Sequence, residues 1–261
     1  MKDNEYKHNY KLTIAYDGTD FNGWQVQPNA VTIQELLEKY IKTVIREEVH
    51  LVGSGRTDAG VHAHGQVANF RCHTPLEIRK FHASMNGLLP KDIRILNVEE
   101  VPMEFHSRYS ASSKCYHYHL YTERVQLPFQ RRYSWHLKQP IDTSLLKQAA
   151  TLFIGEHNFT SFANEAHAGS AAKNPVRNLY RLDVIEETHG VRLEFEANGF
   201  LYKMVRNIVG TLQEVASGKR SIDEIPQIFE GLDRRMAGKA APPTGLFLQY
   251  VNYPDNATKM T

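Results

Sequence analysis

An α+β fold is predicted, built as two lobes of mixed or antiparallel sheet with helices packed on them. Three features of the 261-residue sequence predict it. Stretches that alternate at period two are interspersed with stretches whose apolar residues recur at helical spacing. Some strands follow one another through hairpin connections, which points away from an all-parallel sheet. The two halves also carry comparable sets of elements. The boundary is expected in the small polar stretch Ser107 to Ser113, giving lobes of 1–108 and 109–261 with a cleft between them.

The elements follow in order. Tyr10, Leu12, Ile14 and Tyr16 alternate within Asn9 to Tyr16, the pattern of a half-buried strand. After the loop DGTDFNGW, a helix opens at Thr32, where Thr32 and Glu35 have the spacing of a capping box. Ile33, Leu36, Leu37, Tyr40, Ile41, Val44 and Ile45 form its apolar stripe. His50 to Ser54 reads as a short strand entering the loop GRTDAGVHAHG, and Gln66 to Arg71 as the strand leaving it. A helix over Leu76 to Leu88 stops before Pro90, and a strand runs through Ile93, Ile95, Asn97 and Glu99.

In the second half, Tyr116, Tyr118 and Leu120 alternate within Lys114 to Tyr121. Asp142 caps a helix running to Ile154. Leu179 to Glu187 and Val191 to Ala197 form a hairpin around Thr188-His189-Gly190. A long helix spans about Gly199 to Ser217, with Met204, Val205, Ile208, Val209, Leu212 and Val215 inward and Gly218 at its end. Ser221 and Glu224 start another helix with Pro226 in its first turns, and Leu246 to Val251 is a closing strand.

Composition narrows the function classes. The hydrophobic fraction of 41% and the charged fraction of 23% are those of a globular chain. The net charge of +2 is too small to establish a polyanionic partner by itself. Basic residues do cluster, at Arg131-Arg132, Arg234-Arg235, Lys219-Arg220 and around Lys203 and Arg206, although any single pair fits a solvated surface. The opening MKDNEYKHNYKL has no apolar core, so neither a signal peptide nor an anchor is expected. No apolar run approaches the roughly 20 residues of a membrane span. Two cysteines, Cys72 and Cys115, make no disulfide framework. A cytoplasmic protein with free thiols is expected.

The segment GSGRTDAG surrounds an Arg-Thr-Asp core with glycines. Gly53 and Gly55 permit tight backbone paths and Gly60 lets the chain turn out again, so the loop can present Arg56 and Asp58 from a strand end. The Gly-Lys-Ser/Thr signature of a phosphate-binding loop is absent. By glycine spacing alone, an ordinary turn in which Asp58 bonds backbone amides is the simpler reading.

The wider stretch GSGRTDAGVHAHGQVANF, however, closely resembles the signature of the tRNA pseudouridine synthase A family. YDGTDFNGWQ, FHSRYSASSKCYHY, NFTSFA, MVRNIVG and TGLFLQYV resemble that family's other motifs, in the family's order, so the resemblance spans nearly the whole chain. It implies the pseudouridine synthase fold with its active-site cleft between the lobes, no cofactor, no metal and a homodimer. The implied reaction is isomerisation of uridines 38, 39 and 40 in the anticodon stem and loop of tRNA. A family paralogue acting at another tRNA position is the alternative.

The resemblance also implies roles. Pseudouridine formation breaks the bond from ribose C1′ to uracil N1, turns the base and bonds C1′ to C5. A carboxylate must assist while the detached base stays trapped. That carboxylate is Asp58, the implied nucleophile; attack at C1′, attack on the ring and removal of a ribose proton are all open to it. Arg206, in MVRNIVG, is its implied basic partner, opposing the pKa rise that an apolar site imposes. Tyr116 is the implied active-site tyrosine, able to stack on the uracil or to transfer a proton. Leu246 packs against the reacting base, and Arg56 fills the space left when the uridine leaves its stack.

Two departures bear on substrate preference: Cys115 where a basic residue is common, and Ala63-His64 after the loop. His62 and His64 have a spacing found in metal sites, but no second cluster with ligand spacing accompanies them, and they are read as loop and strand residues. A glycosidase-like enzyme that releases the base and a non-catalytic RNA-binding module are the rival classes. Base release would reveal the first. Loss of Asp58 or Arg206 would have favoured the second, and both are present.

Overall fold

The computed structural model describes residues 6–164 and 174–259, so part of the opening segment read for targeting lies outside the described residues. Two units are distinguished: Met1–Ser112 together with Leu248–Thr261, and Ser113–Phe247.

The first unit begins with β1, His8–Tyr16, whose Tyr10, Leu12 and Ile14 are fully buried, as their alternation requires. Next come α1, Ile33–Ile45, and β2, Val52–Gly53. β3, His62–Cys72, α2, Ile78–Leu88, and β4, Ile93–Val101, complete the series. β1 lies between β3 and β4 and is antiparallel to both, with Leu12 opposite Ala68 and Val98. On α1, the residues Ile33, Leu37 and Ile41 are buried, as are Phe81 and Met85 on α2. Leu36, Tyr40, Val44 and Ile45 flank that stripe at intermediate burial.

A polar network ties residues 102–107 to the sheet. Asn9 donates to the carbonyls of Pro102 and Phe105, Asn69 donates to the Asn9 side-chain oxygen, and the amide of Ser107 donates to Asn69 Oδ1. All three side chains are buried, and pairing them removes the cost of dehydrating them.

The capping box does not form. Thr32 occupies the N-cap position of α1, but its hydroxyl makes no cap bond and is buried without a partner. The first helical amides go instead to distant backbone: Ile33 N–H to Gly23 O at 3.2 Å and Gln34 N–H to Trp24 O at 3.0 Å. Two of the helix's orphan donors are thus satisfied without Thr32. Thr32→Val is expected to raise stability by about 1–2 kcal/mol, since it removes a dehydrated, unbonded hydroxyl and keeps the side-chain shape. Urea unfolding of both proteins checks this; a lower midpoint for the valine variant would show that the hydroxyl has a partner in solution.

The second unit opens on β5, Ser113–Tyr121, and continues with β6, Trp135–His136, α3, Thr143–Thr151, and β7, Gly155–Asn158. The hairpin strands β8, Val176–Glu187, and β9, Gly190–Ala197, follow. Next are α4, Met204–Ala216, and α5, Glu224–Gly231. The last strand, β10, Leu246–Asn252, begins here, but from Leu248 on it is part of the first unit, as is the short α6, Asp255–Thr258. β5, β9, β8 and β7 are consecutive antiparallel neighbours, whereas β6 runs parallel to β5. The class is therefore α+β with a mixed sheet.

Asp142 caps α3 as expected, its carboxylate accepting from Leu145 N–H at 3.0 Å. α3 stops at Thr151 rather than Ile154, because the backbone turns at Gly155, φ +108°, into β7. α4 begins at Met204 rather than Gly199. Lys203 has φ +59°, a left-handed conformation that an α-helix cannot include. From there Met204, Ile208, Val209, Leu212 and Val215 are wholly buried, as the stripe predicts. Gly210 lies so close to the next segment that a Cβ would come within 1.7 Å of the Lys239 carbonyl oxygen.

Candidate active-site residues

The Asp58 loop joins β2 to β3, and it is anchored on both sides of Asp58. At its start the Ser54 amide bonds Val67 O at 2.7 Å and the Ser54 hydroxyl bonds Gln66 Oε1 at 2.7 Å. Gln66 then donates to Gly55 O at 2.9 Å. In the middle, the Thr57 hydroxyl meets the Tyr16 hydroxyl at 2.8 Å, and Thr57 O accepts from Trp24 N–H at 3.1 Å. Burial pushes the Tyr16 phenol well above its ordinary value, so it stays protonated and keeps this bond. At the exit, Val61 N–H bonds Asp58 O and Gly60 N–H bonds Phe21 O. Gly60 itself has φ +77°, the turn that its position predicts.

Thr57 is buried between its neighbours, so Arg56 and Asp58 point outward from it: Arg56 is exposed and Asp58 partly exposed. Two sequence blocks thus meet. YDGTDFNGW supplies Phe21 and Trp24, as well as Tyr16 from the end of β1, to hold the loop that carries the carboxylate. Sequence reasoning missed Tyr16, Trp24 and Gln66 as positioning residues. The signal for them was the adjacency of the motifs to the strands, but which partner each would find depends on the sheet register.

His62 and His64 prove to be the first residues of β3. His62 is almost wholly buried and its Nδ1 lies 3.1 Å from the Gly18 amide and 3.1 Å from Asp17 Oδ1; His64 is exposed. Among the described residues, no group of three or more His, Cys, Asp or Glu side chains could hold a metal ion.

The other candidates belong to the second unit. Tyr116, in β5, lies opposite Phe195 of β9, is 7% exposed, and has its ring edge-on to Phe200 with centroids 5.0 Å apart. Tyr118 shares that strand face, and its hydroxyl donates to Pro242 O at 2.8 Å. Burial raises the Tyr118 pKa, opposed by the positive charge of Arg206. Arg206 sits in the first turn of α4, half-buried among Val205, Ile208 and Val209. Its Nε donates to Ala241 O at 2.7 Å while its own carbonyl accepts from Ala241 N–H at 2.9 Å. Those paired bonds fix the guanidinium against the 241–245 segment. That segment ends in a 3-10 turn, Pro243–Gly245, in which Gly245 packs on the Tyr118 ring, and Leu246 follows it, 6% exposed. The second unit therefore brings Arg206, Tyr118 and the approach to Leu246 together, and keeps Tyr116 on the same strand face.

A family model described as tRNA pseudouridine synthase matches residues 12–110 and 149–254. The chain belongs to that family. A tRNA pseudouridine synthase A 1 of Protochlamydia amoebophila is 61% identical over 247 residues, covering 94% of this chain and 96% of that one. A tRNA pseudouridine synthase A of a Thermoanaerobacter species is 44% identical over 245 residues, with 94% and 99% covered. One from a Geobacter species is 42% identical over 248 residues, with 95% and 99% covered. Among solved structures, a chain of a Cbf5-Nop10-Gar1 complex gives a TM-score of 0.35 at 13% identity, covering 95% of this chain and 59% of that one, too slight a likeness to argue from. The resemblance carried by the six sequence blocks is borne out at the level of the family. Arg56, Asp58, Arg206 and Leu246 fall within the matched stretches, whereas Tyr116 lies between them. Among the described residues, no helix of this pseudouridine synthase is long and apolar enough to cross a membrane.

Proposed function

We propose that this tRNA pseudouridine synthase isomerises uridines 38, 39 and 40 in the anticodon stem and loop, with Asp58 as the nucleophilic carboxylate. The observation that carries the reading is the loop itself. In a member of this family, a partly exposed Asp is held by anchored neighbours on both sides, the pre-organisation that positioning a reacting base requires. Arg206 is its basic partner, a guanidinium held in a fixed orientation. Tyr116 handles the proton at C5, Leu246 packs on the uracil, and Arg56 holds the flipped nucleotide.

The reaction supplies its own assay. Uridine loses its C5 hydrogen when C5 bonds to ribose, so tRNA tritiated at C5 of uridine should release label on incubation with the enzyme. Mapping the converted positions separates action at 38–40 from action elsewhere in tRNA. No release would overturn the activity, and release with free uracil as product would indicate a glycosidase.

No cofactor is needed, because the isomerisation is redox-neutral and its leaving group is also its nucleophile. Activity should therefore survive extensive chelation, measured as tritium release after dialysis against a strong chelator; loss restored by zinc would assign His62 and His64 a metal role.

The enzyme is further proposed to act as a cytoplasmic homodimer on one anticodon arm. Sedimentation should give a dimer. Affinity for tRNA should fall steeply with salt, as counterions released from neutralised phosphates demand. A fully active monomer would overturn the two-subunit reading.

A further inference from the structure

Arg131-Arg132, singled out in the sequence but unused by the reaction, belongs to an excursion between β5 and β6. The chain leaves β5 after Tyr121 and returns at Trp135 beside Leu120. The excursion is braced at its base. The Tyr121 hydroxyl donates to Val125 O at 3.2 Å and accepts from Leu127 N–H at 3.3 Å. At its tip, Pro128–Gln130 forms a 3-10 turn, closed by Gln130 N–H to Leu127 O at 2.9 Å. Gln130 O in turn accepts from Tyr133 N–H and from the Ser134 hydroxyl.

Phe129 stands at the centre of this turn and is 85% exposed, and Val125 of the same excursion is 74% exposed. Exposed apolar side chains gathered on one braced turn mark it as a candidate contact surface. The charges around it identify the partner's chemistry. Arg124 and Arg131 are exposed, and among the described residues neither meets a carboxylate; Arg131 spends one N–H on Pro128 O. Three other arginines of the unit are neutralised, Arg181 by Asp183 at 2.9 Å, Arg220 by Glu224 at 2.9 Å and Arg235 by Asp233 at 2.7 Å. Glu123 is the one acid of the segment. Unpaired guanidinium groups flanking an exposed aromatic ring match a phosphate backbone with an accessible base.

We infer that the 124–133 projection is an RNA-docking element, in which Phe129 stacks on an unpaired base while Arg124 and Arg131 take the adjoining phosphates. The inference deepens the proposal that tRNA is the substrate and rests on it. None of its residues is among those assigned to the reaction, and its contribution is to affinity.

Filter binding of a full-length tRNA transcript tests it, over about 50 to 200 mM salt. Phe129→Ala should raise Kd about 5- to 150-fold, the span associated with losing one stacked base, while Phe129→Trp should bind nearly as the parent does. Arg124→Gln with Arg131→Gln should raise Kd and flatten the salt dependence by about two counterions. The unfolding midpoint of Phe129→Ala should match the parent, because an exposed ring contributes little to folding. An unchanged Kd for Phe129→Ala would overturn the inference. So would weakened self-association with an unchanged Kd per assembled enzyme, which would make the projection a contact between copies. Phe129-dependent binding by an enzyme that releases no tritium would uphold the docking element and sink the proposed activity. Tritium release with Phe129-independent binding would do the reverse.

Discussion

Asp58→Asn is expected to stop tritium release from C5-labelled tRNA, with a loss of about four orders of magnitude or more. The amide matches the carboxylate in shape but can neither ionise nor attack. The neighbouring anchors do not depend on the carboxylate: they run through the Ser54 amide and hydroxyl, the carbonyls of Gly55, Thr57 and Asp58, and the Gly60 amide. The loop should therefore keep its path. Binding of tRNA should stay within about tenfold of the parent, because phosphate contacts dominate affinity for nucleic acid. Measuring both quantities on one preparation separates chemistry from folding. Substantial turnover by the asparagine enzyme would remove Asp58 from the catalytic role.

Tyr116→Phe is the second large effect. If the ring only stacks on uracil, phenylalanine should suffice, and Tyr116→Ala should lose about 1–3 kcal/mol of base binding. If the hydroxyl moves the C5 proton, phenylalanine should fail almost as badly as alanine, by roughly two to four orders of magnitude. The second outcome is expected, because on the proposed assignment Asp58 is engaged at the ribose when C5 must lose its proton. Phenylalanine is the diagnostic variant. It keeps the edge-on contact with Phe200, whereas alanine also opens a gap between β5 and that ring. Single-turnover rates at saturating enzyme decide between the two, and a fully active phenylalanine enzyme would leave Tyr116 as a stacking platform.

Local patterns determined a good deal of this protein. The alternation of Tyr10, Leu12 and Ile14 on β1, the stripe of α4 and the Asp142 cap of α3 are all found as read, because each depends on residues within a turn or a strand repeat of one another. The glycine turn at Gly60 is of the same kind. The family, too, was legible from six ordered blocks.

Contacts between distant residues decided the rest. The capping box at Thr32 fits local rules, yet it does not form, while carbonyls of Gly23 and Trp24 that the fold brings in take the first two helical amides. His62 to Gly65 lack the composition of a strand but become one, because β1 pairs with them through an irregular register near Tyr16. β2 and β6 are two residues each, too short to show any period, and exist only as partners of longer strands. The Asp58 loop combines both kinds of information. Its glycines and its carboxylate can be read along the chain, but the bond that fixes Thr57 comes from Tyr16, 41 residues away. Tertiary structure alone determines that bond, since a hydroxyl can select a distant partner only after the sheet register has set the distance between them.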